Sequence, residues 1–242
     1  MKKLFKAIRD YDLDAVKEII EKKPSVIDEP SAPPPKKDAG QSPLMVALKI
    51  EAFDIAEYLI DKGADVNFSE SEKHNGYQPL LHDAIRTAIY TLCSNRRDDS
   101  DRGVELIIKL CEKGADPNKR AFNGYDAINK AVCDAELILE RRSAYPDSQD
   151  YTEQQLMRII DVLREYGADF KGWAERGHYP LPTPGESNRS LYLDDFVPVE
   201  DKTIEVNFRG KKETVLIKGD IDRTAHTRKV MQEYIRTRGI II

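Results

Sequence analysis

The sequence has no apolar run long enough for a membrane span and no cysteine pattern typical of a disulfide-stabilised domain. None of its apolar stretches approaches the roughly 20 residues that cross a bilayer. The basic start, MKKLFKAIRD, is not followed by the apolar segment of a secretory signal. Only three cysteines are present, and no two of them are close. We therefore expect a cytoplasmic protein that does not contact membranes and keeps its cysteines reduced.

Signatures of catalysis and of metal binding are also missing from the sequence. It contains neither a Gly-rich phosphate-binding loop nor a metal motif of the HExxH type. The four histidines are scattered, and no arrangement of a nucleophile with a base is recognisable. We therefore predict no enzyme activity, no cofactor and no metal site.

The charge is slightly acidic and unevenly distributed. The 38 Lys and Arg residues against 43 Asp and Glu give a net charge of −5. Residues 201–242 carry 10 Lys and Arg but only 6 Asp and Glu, which leaves −9 on residues 1–200. The basic stretch RGKKETVLIKGDIDRTAHTRK is interrupted by acidic residues and has no aromatic side chain, so a solvated face is favoured over a phosphate-binding one. Nucleic acid is not an expected partner.

A Gly-Ala-Asp phrase, in contrast, recurs three times. It follows segments with apolar residues at i, i+3, i+4 and i+7, which predict helices. The glycine ends each helix because it adopts the left-handed conformation at little cost, and the following Asp and Asn favour a turn. The three copies are DKGADVN at 61–67, EKGADPN at 112–118 and EYGADF at 165–170.

A second recurring phrase begins a helix. Each copy opens with a turn glycine, followed by an N-cap position and a first helical position that suits proline. The copies are GQSPLMVAL at 40–48, GYQPLLHDA at 76–84 and GYDAINKAV at 124–132. Each unit therefore consists of a turn, an inner helix, an outer helix and another turn.

Together these two phrases resemble the ankyrin repeat family over residues 1–170. The resemblance implies an all-α solenoid of about four helix-turn-helix repeats, the first of which is degenerate and acts as a terminal cap. The predicted repeats span approximately residues 3–28, 40–67, 76–118 and 124–170.

The third and fourth repeats are longer than the family pattern. The two phrase glycines lie 23 residues apart in the second repeat, but 38 and 43 apart in the next two. The excess falls between the inner and outer helices. We expect inner helices lengthened by about two turns, followed by the polar loops RRDDSD at 96–101 and RSAYPDSQD at 142–150. Neighbouring helices lengthened together can still pack on each other.

The C-terminal part is predicted to cover the end of the solenoid. Residues 171–200 form a proline-containing connector, and residues 201–242 form a small β-hairpin followed by a helix. The hairpin turns at Gly210, and the helix begins after Asp222 and stops at Gly239. This element is too small to hold its own core, so we expect it to dock on the repeats. Four connector residues are expected to pack over the last repeat: Trp173, Tyr192, Leu193 and Phe196.

Three residues on the inner helices carry reactive groups. His82 stands one position after the histidine of the family pattern and is interpreted as a helix-surface or turn-contacting residue. Asp83 stands where the family has a small alanine; a carboxylate buried there must be paired, and we expect a local bond to the long insert rather than chemistry. Cys133 is interpreted as an inert small apolar residue.

The resemblance implies that the protein recognises a partner protein on the concave face formed by the turn tips and inner helices. By register, the family's variable contact positions are Ala39, Gln41, Lys49, Ile50, His74, Asn75, Tyr77, Ile85, Arg86, Phe122, Asn123, Tyr125, Cys133 and Asp134. We predict that nine of them bind the partner: Lys49, His74, Asn75, Tyr77, Arg86, Phe122, Asn123, Tyr125 and Asp134. Aromatic and Arg residues favour binding hot spots. Alternatively, Tyr77 and Tyr125 only pack on a neighbouring turn.

The predicted function is therefore non-enzymatic protein binding by a monomer. The irregular repeats resemble bacterial ankyrin proteins, some of which neutralise toxins, and an immunity-type role is the leading specific hypothesis. Two alternatives remain open at this point. One is an effector that binds a host protein, and the other is a C-terminal nucleic-acid-binding or enzymatic module tethered to the repeats.

Overall fold

The computed structural model describes residues 2–32, 38–70, 78–139, 147–175, 202–208, 211–217 and 225–239. Its largest feature is a mostly helical solenoid of four helix pairs. Inner helices stack on inner helices, and outer helices stack on outer helices, in two layers. The pairs are α1 (Lys2–Arg9) with α2 (Leu13–Lys22), α3 (Pro43–Lys49) with α4 (Phe53–Asp61), α5 (Leu80–Tyr90) with α6 (Arg97–Glu112), and α7 (Ala127–Leu139) with α8 (Asp147–Glu165).

Helix boundaries follow the two recurring phrases. The hydroxyl of Ser42 accepts a hydrogen bond from the backbone N–H of Met45 at 3.2 Å, and Pro43 occupies the first turn of α3. The glycines of the Gly-Ala-Asp phrase have φ values of +86°, +89° and +89°, which side chains disfavour. Helix starts and stops are therefore encoded locally.

The Gly-Ala-Asp phrase also connects consecutive repeats. The amide of Asn67 donates to the carbonyl of Gly114 at 2.8 Å and accepts from the N–H of Asp116 at 2.8 Å. Asn118 makes the same pair of bonds to the fourth repeat, again at 2.8 Å. Each bond satisfies a backbone group that the turn would otherwise leave to solvent. The asparagine at the end of the phrase thus fixes the register of the next repeat.

The prediction of a polar loop in the third repeat is wrong. Helix α6 begins at Arg97 and includes most of the RRDDSD stretch, with Asp98 and Asp99 in its first turn, where carboxylates interact favourably with the helix dipole. The inner helix α5 continues as a short 3₁₀ helix (Thr91–Ser94), which agrees with the expected lengthening. The outer helix is lengthened as well, so only a tight connection remains.

The two lengthened helices approach each other closely. Ser100 and Gly103 are buried on the side of α6 that faces α5. A Cβ atom at Gly103 would lie 2.7 Å from the Cα atom of Ala88, closer than any ordinary contact. The polar sequence therefore hides a small-residue contact face, and this face lets the extra turns become helical.

The fourth repeat shows the same departure from the sequence prediction. Helix α8 starts at Asp147, so the last four residues of the predicted loop are helical, while residues 140–146 lie outside the described part. The carboxylate of Asp101 on α6 accepts hydrogen bonds from Tyr151 and Gln155 on α8, both at 2.7 Å. These bonds hold the lengthened outer helices together.

The predicted connector begins as a helix rather than an irregular segment. Helix α9 (Phe170–Glu175) places Trp173 in the core, where its ring lies 5.1 Å from that of Phe170. With its amide oriented to satisfy both ends, buried Asn129 accepts a hydrogen bond from the indole N–H of Trp173 at 3.1 Å. Trp173 therefore covers α7, whereas Tyr192, Leu193 and Phe196 lie outside the described residues.

Two strands and one helix are described in the C-terminal part. Strands β1 (Lys202–Phe208) and β2 (Lys211–Ile217) pair antiparallel, with Glu205 opposite Thr214. Helix α10 (Ala225–Thr237) packs on α7 and ends before Gly239, which has a φ of +59°. Gly210 and Asp222 lie outside the described residues.

Helix α10 is anchored mainly by one tyrosine. The side chain of Tyr234 is fully buried, and its ring lies 5.7 Å from that of Phe170. Its hydroxyl donates to the carboxylate of Asp161 at 2.8 Å and accepts from Arg164 at 3.1 Å. Arg238 donates to the same carboxylate at 3.1 Å. This network attaches the C-terminal helix to the last repeat.

Replacing Gly103 by alanine tests the close helix contact. In an exposed helix this change stabilises the protein by about 1 kcal/mol. Here we expect the opposite, a loss of roughly 1–3 kcal/mol in the free energy of unfolding, because the new methyl group overpacks against Ala88. Urea denaturation measures the difference. Glu105→Ala on the exposed side of α6 is the matched control, and a more stable G103A protein would contradict the contact.

Replacing Tyr234 by phenylalanine tests the anchor of α10. The change removes the hydrogen bonds to Asp161 and Arg164, so we expect the opening of α10 to become easier by about 1–2 kcal/mol. Hydrogen exchange of the α10 amides measures this opening. The control is Arg236→Gln, because its exposed ion pair with Glu233 contributes little. Equal exchange in both variants would mean that the tyrosine is not the anchor.

Candidate functional site

The predicted contact residues divide between the inner helices and the turns that precede them. His74, Asn75 and Tyr77, in the turn before α5, lie outside the described residues. The corresponding turn before α7 is described in full. Lys49 and Arg86 stand at the C-terminal halves of α3 and α5, and both are exposed.

The turn before α7 presents an aromatic side chain to solvent. Phe122 is 68% exposed, and among the described residues only Tyr11 is a comparably exposed large apolar side chain. The turn itself is held by two backbone hydrogen bonds, from Ala121 N–H to the carbonyl of Tyr125 at 2.8 Å and from Gly124 N–H to that of Ala121 at 2.9 Å. Asn123, at the same tip, accepts from the N–H of Tyr125 at 3.2 Å. Phe122 is thus displayed on a fixed turn.

The side chain of Tyr125 makes a contact within its own repeat. It is half-buried, and its hydroxyl shares a side-chain hydrogen bond with the thiol of Cys133 on α7. The neighbouring Cys133, together with burial, raises the pKa of Tyr125 to about 12. Burial likewise raises the pKa of Cys133 to about 12, so its thiol stays protonated and is a poor nucleophile. The expectation of an inert cysteine agrees with this arrangement.

Several positions predicted to face the partner are buried instead. Ala39 and Gln41 lie at the base of the turn before α3, and Ile85 lies in the core. Asp134 is also buried, with a carboxylate 2.7 Å from the ammonium of Lys130 and 3.7 Å from Arg86. The expectation that Asp134 is presented to a partner therefore needs correction: it is the buried half of ion pairs. Register identifies positions, but the side-chain partners decide which of them are exposed.

Asp83 is paired, although not with the segment that the sequence suggested. The ammonium of Lys49, on the preceding repeat, lies 3.6 Å from its carboxylate and 2.7 Å from that of Glu70. Burial raises the pKa of Asp83 to about 6, and the positive charges of Lys49, Lys130 and Arg86 limit this rise. The expected bond to the long insert is replaced by an ion pair between repeats.

His82 is buried rather than on the helix surface. Burial, with the positive charge of Lys130 nearby, lowers the pKa of its imidazole to about 3, so the ring is neutral at physiological pH. The ring also lies against the backbone of Lys119, in the turn of the next repeat, as a turn-contacting residue would. A histidine that is buried and this hard to protonate is poorly suited to act as a general base near neutral pH.

Two further buried carboxylates pair with cations of the inner helices, and the sequence analysis did not identify them. Asp38, in the turn before α3, forms a largely buried ion pair with Arg9 on α1, and Glu70 pairs with Lys49 as described above. Arg9 stands five residues after Leu4, as Lys49 stands five residues after Leu44. This shared register is the signal that could have revealed the first pair.

Comparison with known proteins agrees with this architecture. The family profile described as ankyrin repeats (3 copies) matches residues 4–121. A curated ankyrin repeat protein from Rickettsia bellii (strain RML369-C) is 30% identical over 107 residues, which is 44% of this chain and 13% of that relative. The chain thus spans only a small part of the relative that it matches. The matched repeats belong to the ankyrin repeat family, and this confirms the resemblance over residues 4–121.

The described part of the chain shows neither a membrane-spanning helix nor a metal-binding cluster. None of its helices is both long and apolar enough to cross a membrane. Nor do its His, Cys, Asp and Glu side chains form a group of three or more that could hold a metal ion. The cytoplasmic location and the lack of a cofactor remain predictions.

The Asp83→Asn variant tests the buried carboxylate through pH. The folded protein holds a proton on Asp83 up to about pH 6, whereas the unfolded chain releases it near 3.8, so stability from this group is present below 3.8 and lost as the pH rises through 6. Asparagine does not titrate, so the stability of the D83N variant does not fall with pH for this reason. We expect the free energy of unfolding of the wild type, relative to D83N, to fall by up to about 3 kcal/mol between these pH values.

Urea denaturation at a series of pH values measures this difference. The contribution of His82 is common to both proteins and cancels in the comparison. Asp14→Asn is the control, because it makes the same chemical change at a carboxylate that is 97% exposed. A wild-type profile parallel to that of D83N would show that burial does not raise the pKa of Asp83.

Proposed function

We propose that the chain binds a partner protein on the concave face of its repeats, with the turn before α7 as the principal contact. Ankyrin repeats generally mediate protein–protein interaction, and a solenoid of stacked repeats offers an extended concave surface for it. The observation that carries the proposal is Phe122, an aromatic side chain left 68% exposed on a hydrogen-bonded turn.

The energetics of binding favour such a residue. A large apolar side chain that stays in water before binding contributes about 25 cal/mol for each Å² that a partner covers. Because the turn is already fixed by two backbone hydrogen bonds, little conformational entropy is lost when the partner docks. Asn123 at the same tip supplies a polar contact beside the aromatic anchor, and the exposed Arg86 on α5 supplies a further one on the inner-helix layer. Tyr125 is expected to contribute less, since its hydroxyl is engaged by Cys133.

The particular partner is a further step. Neutralisation of a toxin is the specific role that we infer from the resemblance to bacterial ankyrin proteins, and it rests on that analogy. His74, Asn75 and Tyr77 remain proposed contacts by register alone. Monomeric behaviour is likewise part of the proposal.

Substituting Phe122 tests this surface. Phe122→Ser removes the exposed ring without touching the core, so we expect the fold to keep its stability and partner capture to fall by about tenfold or more, the loss typical of a hot-spot residue. The measurement is quantitative affinity capture from a lysate of the cells that make the protein, with the wild type as reference.

Tyr11→Ser is the matched control. Tyr11 is the other highly exposed aromatic residue, at 60%, and it lies in the connection between α1 and α2, where its hydroxyl donates to the carbonyl of Ile50 at 2.6 Å. We expect this variant to capture the same proteins as the wild type. If Y11S loses them and F122S retains them, the concave surface is not the binding site.

A further inference from the structure

The inner helices carry a row of cations whose negative partners are buried beneath them. Lys49 is 31% exposed, whereas its partners Glu70 and Asp83 are 3% and 4% exposed. Arg86 is 49% exposed over Asp134 at 4%. Because water and any partner meet the cations first, this face is locally positive although the chain as a whole is acidic.

Arg9 extends the row to the first repeat. Its side chain is 24% exposed, against 9% for its partner Asp38. Arg9 and Lys49 stand at the same position of consecutive inner helices, and Arg86 stands one residue beyond that position on the third. We call Arg9, Lys49 and Arg86 the cation row. It runs across α1, α3 and α5, with one cation on each of the first three inner helices.

The row keeps unused donor capacity. Arg86 makes no hydrogen bond to any residue in the described part of the chain; its Nε atom lies 3.7 Å from Asp134, and its guanidinium stacks over the ring of Tyr90 at 5.2 Å. The ammonium of Lys49 has three N–H donors, of which one reaches Glu70 at 2.7 Å. An incoming carboxylate can therefore bind without displacing the buried partners, whose desolvation is already compensated in the free protein.

We propose that the cation row binds an acidic segment of the partner protein, with carboxylates at about every third residue. Packed helices lie about 8–10 Å apart. A peptide in the polyproline II conformation has three residues per turn and advances about 3.1 Å per residue, so its side chains three residues apart lie on the same side, about 9 Å from each other, and match the spacing of the row. This inference rests on the proposed function and names the chemistry of the partner.

The same charges argue against nucleic acid as the ligand. Residues 1–200 carry a net charge of −9, which repels a long polyanion as it approaches. A short acidic segment senses mainly the field within about 8–10 Å of its contact, because salt screens the remainder. The acidic remainder of the chain therefore opposes the binding of a long nucleic acid more strongly than it opposes the binding of a short acidic peptide.

A titration with a designed peptide tests the proposal. The probe is (Glu-Ser-Gly)4, added to the full chain and followed by amide chemical shifts in low-salt buffer. We expect shifts at the C-terminal halves of α1, α3 and α5, and an affinity that weakens with added salt. R86Q should weaken binding about 2- to 5-fold, the range for an exposed ion pair. The triple variant R9Q/K49Q/R86Q should abolish it.

The matched control removes the same charge from the opposite layer. Arg102, Lys109 and Arg158 on the outer helices are also paired with carboxylates, those of Asp54, Asp61 and Asp101. The variant R102Q/K109Q/R158Q should bind the peptide as the wild type does. R86Q serves as the reference if the triple variant does not fold, since its contact to Asp134 is long and its removal leaves Lys130 on that carboxylate.

Three results would overturn the proposal. They are no shift with the wild type at millimolar peptide, equal weakening by the outer-helix variant, and displacement of the peptide by a single-stranded DNA of equal charge at lower concentration. None of them bears on the capture experiment with F122S, so the proposed function and the acidic partner can fail separately.

Discussion

The fold depends on contact between consecutive repeats, because no helix pair can bury its apolar surface alone. Inner and outer helices each pack on the corresponding helix of the next repeat, and one continuous apolar core results. Polar bonds fix the register of this stacking: Asn67 and Asn118 each join two backbone groups of the following turn. The ion pairs between repeats obey the same constraint, because Lys49 contacts Asp83 and Arg86 contacts Asp134, each carboxylate being supplied by the next repeat.

The lengthened repeats show how this stacking overrides local sequence. A stretch such as RRDDSD has little apolar character, and by composition it predicts a loop. It becomes helical because Gly103 permits close approach to Ala88 and because Asp101 accepts hydrogen bonds from the next outer helix. Both reasons are tertiary. The apolar spacing that predicted the longer inner helix was visible in the chain, whereas the small-residue face opposite it was not.

The candidate site, like the lengthened repeats, was predictable from the sequence only in part. Register placed Lys49, Arg86, Phe122 and Asn123 on the face where the structure leaves them exposed. It could not separate them from Asp134, which neighbouring cations draw into the interior. A buried carboxylate needs a cationic partner, and here the cation stays more exposed than the carboxylate, as with Arg86 over Asp134. That partner lies on another helix, where register alone does not reveal it. This asymmetry in exposure produces a cationic inner face on an acidic protein.

The sequence by itself determined the helix starts and stops, the ankyrin class and the two repeats that depart from it. These features are local: a capping hydroxyl, a glycine that tolerates positive φ and the spacing of apolar residues act within a few residues of each other. Only the tertiary structure decided that the polar inserts are helical, that Asp83 pairs with Lys49 and that Tyr234 holds the C-terminal helix. Those outcomes depend on desolvation and close packing between distant segments, which no short window of sequence contains.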